Sequence, residues 1–174
     1  MVAAGATRVA VHDHLVHLHH EDDDALVAGA AAFLADALAR GDVALVNARP
    51  ERTAAVLARL ETDGTEVESA RAGARLRCWD AAEVSDRLVD ADGILRRDEL
   101  DATVRGLFDE VAAMGASLAV FGEAAGLLWA RGAQAAALEI EARWAELGAS
   151  VGLSLYCAYE VTSVRREIGG LAAV

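Results

Sequence analysis

Apolar positions in this chain follow two spacings, short continuous runs and stripes at i, i+3 and i+4, and the two alternate along its length. Residues around His14–His19, then Val43–Asn47, Arg75–Trp79, Ser117–Phe121 and Leu153–Tyr159, predict five strands. Val43–Asn47 is a continuous apolar run, as a strand covered on both faces requires. Between the runs lie helical stripes. Asp22–Arg40 carries Leu26, Ala30, Phe33 and Ala37 on one side, with acids in its first turn, Arg40 in its last and Gly41 as its stop. Pro50 opens a second helix that Gly64 closes. Ala81–Val89 predicts a brief helix and Asp92-Gly93 a turn. Asp98 is placed as the cap of a long helix with Leu100, Val104, Leu107, Phe108 and Val111 on one face, ended by Gly115. After Gly122-Glu123 comes a helical pair in which Ala137, Ile140, Trp144 and Leu147 form a core stripe. The sum is a single α/β domain, residues 1–174 with its core at about 14–160. It has a mostly parallel sheet of about five strands and helices on both faces.

Composition narrows the class. With 55% apolar residues, 25% charged and one proline, the chain folds. No apolar run approaches the roughly 18–20 residues that cross a bilayer, and the N-terminus shows no secretory pattern. Two cysteines without a CxxC fit a reducing cytoplasm. The net charge is −12, from 16 arginines and no lysine against 28 acids. That surface repels phosphate backbones and anionic lipid, so direct nucleic-acid or membrane binding is not expected.

The turn after the first strand decides the nucleotide question. A phosphate-binding turn needs glycines and a cation, but here it reads His19-His20-Glu21-Asp22-Asp23-Asp24. No nucleotide is expected. GxSxG, HExxH and SxxK are absent as well, so no covalent catalyst is evident and an enzyme is not expected.

All five histidines fall between positions 12 and 20. On an extended segment His12 and His14 share one face, and His17 and His19 the other. Two imidazoles at i, i+2 converge on a metal in some proteins, and His17 and His19 with Cys157 or Glu123 from neighbouring strands compose a zinc or nickel candidate. The competing reading is a solvated strand end balanced by Asp22–Asp24. Glu123 also has two readings: an anchor at a strand mouth, or an acid on the dipole of the next helix. Glu139 and Arg143 are spaced as a solvated i, i+4 pair. Cys78 and Cys157 read as buried small residues, since neither neighbourhood is electropositive.

His14-Leu15-Val16-His17-Leu18-His19 before an acidic helix start, Phe121-Gly122-Glu123, Leu127-Leu128-Trp129-Ala130-x-Gly132, Ala136-Ala137-Leu138-Glu139, Trp144-Ala145-Glu146-Leu147 and Leu155-Tyr156-Cys157-Ala158-Tyr159 stand in an order that resembles MEDS domains. These are the methanogen/methylotroph dichloromethane-regulator sensory domains, and the resemblance covers roughly residues 14–160. It implies a RecA-like three-layer α/β fold, related to the KaiC group, that has lost its nucleotide loop. It also implies a sensor of small hydrocarbon derivatives, usually fused to kinase, anti-sigma or DNA-binding modules. His14, Glu123, Trp129, Glu139, Trp144, Cys157 and Tyr159 match the family pattern. His17 stands where Gln or Cys is often nearby, His19 and His20 where Phe-Tyr or Tyr is common, and Ala145 where Asn is usual.

The expectation is therefore a non-enzymatic sensory domain whose pocket at the strand carboxyl ends is lined by His14, His17, Glu123, Trp129 and Tyr159. It would bind a small organic ligand and signal through a kinase, an anti-sigma factor or a transcription regulator, with a homodimer allowed. Two alternatives stand beside it: a ligand-independent interaction module, and a metal sensor or enzyme built on the histidines.

Overall fold

The computed structural model describes residues 14–20, 24–148 and 152–165. His12 and the acids Glu21–Asp23 of the first turn lie outside the described residues. The elements run β1 (His14–His19), α1 (Asp24–Ala39), β2 (Val43–Ala48), α2 (Pro50–Thr62), α3 (Val67–Ala72), β3 (Leu76–Asp80), α4 (Ala81–Leu88), α5 (Arg97–Ala113), β4 (Leu118–Gly122), α6 (Ala124–Ala130), α7 (Gln134–Gly148) and β5 (Leu153–Glu160). A short helical segment follows at 161–165. Every strand expected from the pattern is present. The short α3 was not anticipated, because six residues hold too little of a stripe to show a period.

The five strands form one sheet in the order β1-β5-β4-β2-β3, and every pairing is parallel. Parallel crossovers are right-handed, so strand order dictates which face each helix covers. From β1 to β2 to β3 the chain moves one way across the sheet, which puts α1, α2 and α3 on one face. From β3 to β4 to β5 it moves back, which puts α4 to α7 on the other. Two apolar cores follow. One joins Leu26, Ala30 and Leu34 of α1 to Ala44, Val46, Phe121 and Tyr156. The other joins Val104, Leu107 and Phe108 of α5 and Ile140 and Trp144 of α7 to Val43, Leu45, Val120 and Leu155. Strand β2 is buried at all six positions because its side chains alternate between these cores. Ala137, Ile140 and Trp144 are buried as the stripe requires, while the side chain of Leu147 lies outside the described set.

Local chemistry sets the ends of the elements. Pro50 begins α2, and Gly41 takes φ +82° just past α1. Asp80 caps α4, accepting from the Ala82 amide at 2.8 Å. Asp98 does not cap α5. It lies in the first turn, one residue past Arg97, where an acid still favours the dipole. Glu139 and Arg143 do not form the expected i, i+4 bridge either. Glu139 pairs with Arg97, and Arg143 grips Asp101 with contacts of 2.5 and 2.7 Å. Both reach from α7 to α5, and Arg143 meets Asp101 on two bonds while also pairing with Glu146 on its own helix at 2.6 Å.

Candidate functional site at the strand carboxyl ends

The chain reverses its direction across the sheet between β2 and β4, which are hydrogen-bonded neighbours. The segment leaving β2 turns toward α2 on one face, and the segment leaving β4 turns toward α6 on the other. The crevice between two such exits is where open α/β sheets bind ligands. Arg49 and Glu123 are the first residues past these two strands, and they meet there. Glu123 is 3% exposed. Its carboxylate accepts the Arg49 amide at 2.8 Å, the Arg49 guanidinium at 3.3 and 3.5 Å, and Arg52 Nε at 3.3 Å. Its own amide donates to the Asn47 carbonyl at 2.9 Å. Glu123 therefore holds the starts of α2 and α6 together instead of capping its own helix. The same contact holds the Arg49 guanidinium pKa above its ordinary value, against the opposing effect of burial.

Beside this clamp lies a crevice of about 150 Å³ lined by His19, Arg49, Glu123, Gly126, Ala158 and Glu160, among others. Its wall depends on Gly126. A Cβ there would stand 2.2 Å from the Ala158 carbonyl oxygen, so only glycine lets α6 approach β5 this closely. The lining offers a guanidinium, two carboxylates and an imidazole, with Leu127 and Ala130 as apolar surface. Among the described residues, no serine or cysteine lines it.

A second polar centre lies on the α4–α7 face. Glu141 of α7 accepts from His14 Nε2 at 2.8 Å, Cys157 Sγ at 3.1 Å and Tyr159 Oη at 2.8 Å. Burial first, and the Glu141 charge second, push the Cys157 thiol and the Tyr159 phenol well above their usual ranges. Strand register explains the space beside them. Asn47, Gly122 and Cys157 sit opposite one another on β2, β4 and β5. Because Gly122 has no side chain, the row has a notch. It appears as a cavity of about 30 Å³ lined by Asn47, Gly122, Glu141, Trp144 and Cys157, among others. Asn47 is 4% exposed, and its Oδ1 has no hydrogen-bond partner among the described residues.

The five expected lining residues divide among these settings. Glu123 stands in the crevice. His14 and Tyr159 meet at Glu141, with Trp129 edge-on to Tyr159 at 6.0 Å between centroids. His17 faces the other core, its Nδ1 2.5 Å from Tyr156 Oη. Of the histidines considered for metal, His19 is buried, with Nδ1 2.8 Å from the His20 carbonyl, and lines the crevice. Among the described residues, neither His17 nor His19 joins Cys157 in a ligand group, whereas His14 does. Cys157 is buried as expected, but it is hydrogen-bonded and not merely a small apolar residue.

Sequence reasoning missed Arg49, Arg52, Asn47 and Glu141. Glu141 carried a usable signal: it falls four residues after Ala137 and three before Trp144, a carboxylate inside an apolar stripe. Asn47, polar at the end of an apolar strand, carried another. Arg49 carried none, since only strand order makes it a neighbour of Glu123.

The all-parallel five-stranded sheet with helices on both faces defines a single-domain three-layer α/β fold, and the Arg49–Glu123 clamp sits past β2 and β4. The model of the MEDS family, the MEthanogen/methylotroph, DcmR Sensory domain, matches residues 13–171, and the chain belongs to that family. No curated protein and no solved structure matches it. No helix among the described residues is long and apolar enough to cross a membrane.

Proposed function

We propose that this sensory domain binds a small polar hydrocarbon derivative in the strand-end crevice and passes the signal to a partner protein such as a kinase, an anti-sigma factor or a transcription regulator. One observation carries the reading: a buried carboxylate at the switch point ties the starts of α2 and α6 together at the wall of the crevice. About 150 Å³ is below the roughly 300–1,000 Å³ of sites for drug-sized ligands, so a molecule of a few heavy atoms fits. A ligand donor competing for Glu123, or an acceptor competing for Arg49, changes the clamp. Because α2 and α6 lie on opposite faces, a change there reaches both layers.

The test is a calorimetric screen of one- to four-carbon alcohols, amines, carboxylates and halides, with Ala130→Phe filling the crevice and Glu123→Gln removing the charge. Saturable binding abolished by Ala130→Phe, and weakened about tenfold or more by Glu123→Gln, is expected, since hydrogen bonds to charged groups contribute about 1.5–3 kcal/mol. Binding unaffected by either variant overturns the assignment of the site.

The second reading, a ligand-independent interaction module, is favoured by the sheet edge. Leu15, Val16 and Leu18 of β1 are 49%, 58% and 52% exposed, and such an edge pairs readily with another chain. Partner capture lost in Val16→Glu but indifferent to the crevice variants supports it.

A further inference from the structure

We propose that His14, Glu141 and Cys157 form a site for a divalent transition metal of the zinc type, with its fourth position open to the cavity over Gly122. An imidazole nitrogen, a carboxylate oxygen and a sulfur from three elements, β1, α7 and β5, lie within 4.8 Å of one another. That mixture of donors suits a borderline-soft cation and not calcium or magnesium. Tyr159 Oη donates to the other Glu141 oxygen at 2.8 Å, the kind of outer contact that orients a ligand carboxylate.

Spacing and access agree. A tetrahedral ion with bonds of about 2.0–2.3 Å separates its ligands by roughly 3.3–3.8 Å. The present separations of 2.8 and 3.1 Å ask for outward shifts of about half an ångström. His14 is on the edge strand with 39% of its side chain exposed, so it has room to move, and the same exposure is a route for the ion.

A hydrogen-bonded network alone explains the three contacts to Glu141, but Asn47, which lines the same cavity as Glu141 and Cys157, keeps a buried Oδ1 with no partner among the described residues. Three protein ligands are the pattern of a centre that keeps a water or another exchangeable ligand. A metal-bound water is a donor of the kind this acceptor lacks, and about 10–15 Å³ suffices for one, less than the about 30 Å³ present. The proposal does not depend on the strand-end crevice, which lies beyond the carboxyl ends of the strands.

The experiment is a cobalt titration of the full chain, without an affinity tag and stripped with a chelator, followed by absorption spectroscopy and displacement by zinc. One ion per chain is expected, with a thiolate-to-cobalt charge-transfer band and the intense visible bands of tetrahedral geometry. Cys157→Ser should abolish the charge-transfer band. His14→Ala, on a half-exposed residue, should weaken binding on the order of 100-fold, more than loss of an outer contact does. The double variant His19→Ala with His20→Ala should leave both unchanged. Absence of a stoichiometric ion, a spectrum that survives Cys157→Ser, or binding lost in the His19/His20 variant instead of His14→Ala would overturn the site. Failure of the ligand screen would leave it standing.

Discussion

At the scale of single residues, glycines are placed where a neighbour needs the space. Gly29 of α1 faces Tyr156, and a Cβ there would stand 2.6 Å from the phenol oxygen. That oxygen is also 2.5 Å from His17 Nδ1, and Phe33 and Phe121 pack edge-on to the same ring, so it has little freedom to retreat. Gly29→Ala should cost about 1–3 kcal/mol by overpacking, although alanine is favoured over glycine in a helix by about 1 kcal/mol. In a Tyr156→Phe background the same change should become neutral or stabilising. Denaturant melts of the four proteins in the cycle check this, and equal costs in both backgrounds would remove the explanation. None of this is legible in the sequence, where Gly29 is one small residue in an alanine-rich stretch. By contrast, Glu123 could be singled out in the sequence because a carboxylate after an apolar run stands at a strand end. Its partners could not be named, since they come from more than 70 residues away.

Among elements, the contact between α5 and α7 is stitched at its surface by charge. Arg143 grips Asp101 with two hydrogen bonds, and with Arg105 it lowers that carboxyl from 3.8 to about 2. A folded value below the unfolded one means the contribution is complete above about pH 4 and fades as pH falls toward 2. Comparing thermal midpoints of the wild type and Asp101→Asn from pH 7 down should therefore show the variant less stable at neutral pH, with the gap closing near pH 2. A gap that is constant with pH would assign the effect to packing. The effect is modest, because exposed pairs contribute little. Helix faces were readable from periodicity, and the stripe of α5 and Ala137, Ile140 and Trp144 of α7 are buried where expected, although Asp98 is not the cap of α5. The partners of Glu139 and Arg143 were not readable. Spacing names every i, i+4 possibility on a helix but cannot see a second helix beside it.

For the whole molecule, the sheet is shared by two cores, with Val43 and Leu45 of β2 in one and Ala44 and Val46 in the other. Neither core keeps its floor if the other is lost, so unfolding should be a single transition. The tryptophans offer a sharp check. Trp79, Trp129 and Trp144 all pack in the α4–α7 core. Gly29→Ala, in the opposite layer, should nevertheless shift the tryptophan-fluorescence midpoint as far as the midpoint seen by circular dichroism. Separate midpoints would mean the layers melt independently. Alternating runs and stripes by themselves determined the α/β class, the number of strands and most helix faces, because burial on one side or two imposes its period on local sequence. The expectation of no phosphate loop after β1 rests on sequence alone, since His19 to Asp24 holds no glycine and no lysine. Only the tertiary structure decided the strand order, and with it every contact across the sheet. The Glu123 clamp with Arg49 and Arg52, the row of Asn47, Gly122 and Cys157, and the meeting of His14, Glu141 and Cys157 each join residues that are distant in the chain. No local period encodes such meetings: they arise when crossovers fold back over a twisted sheet and bring strand ends into register.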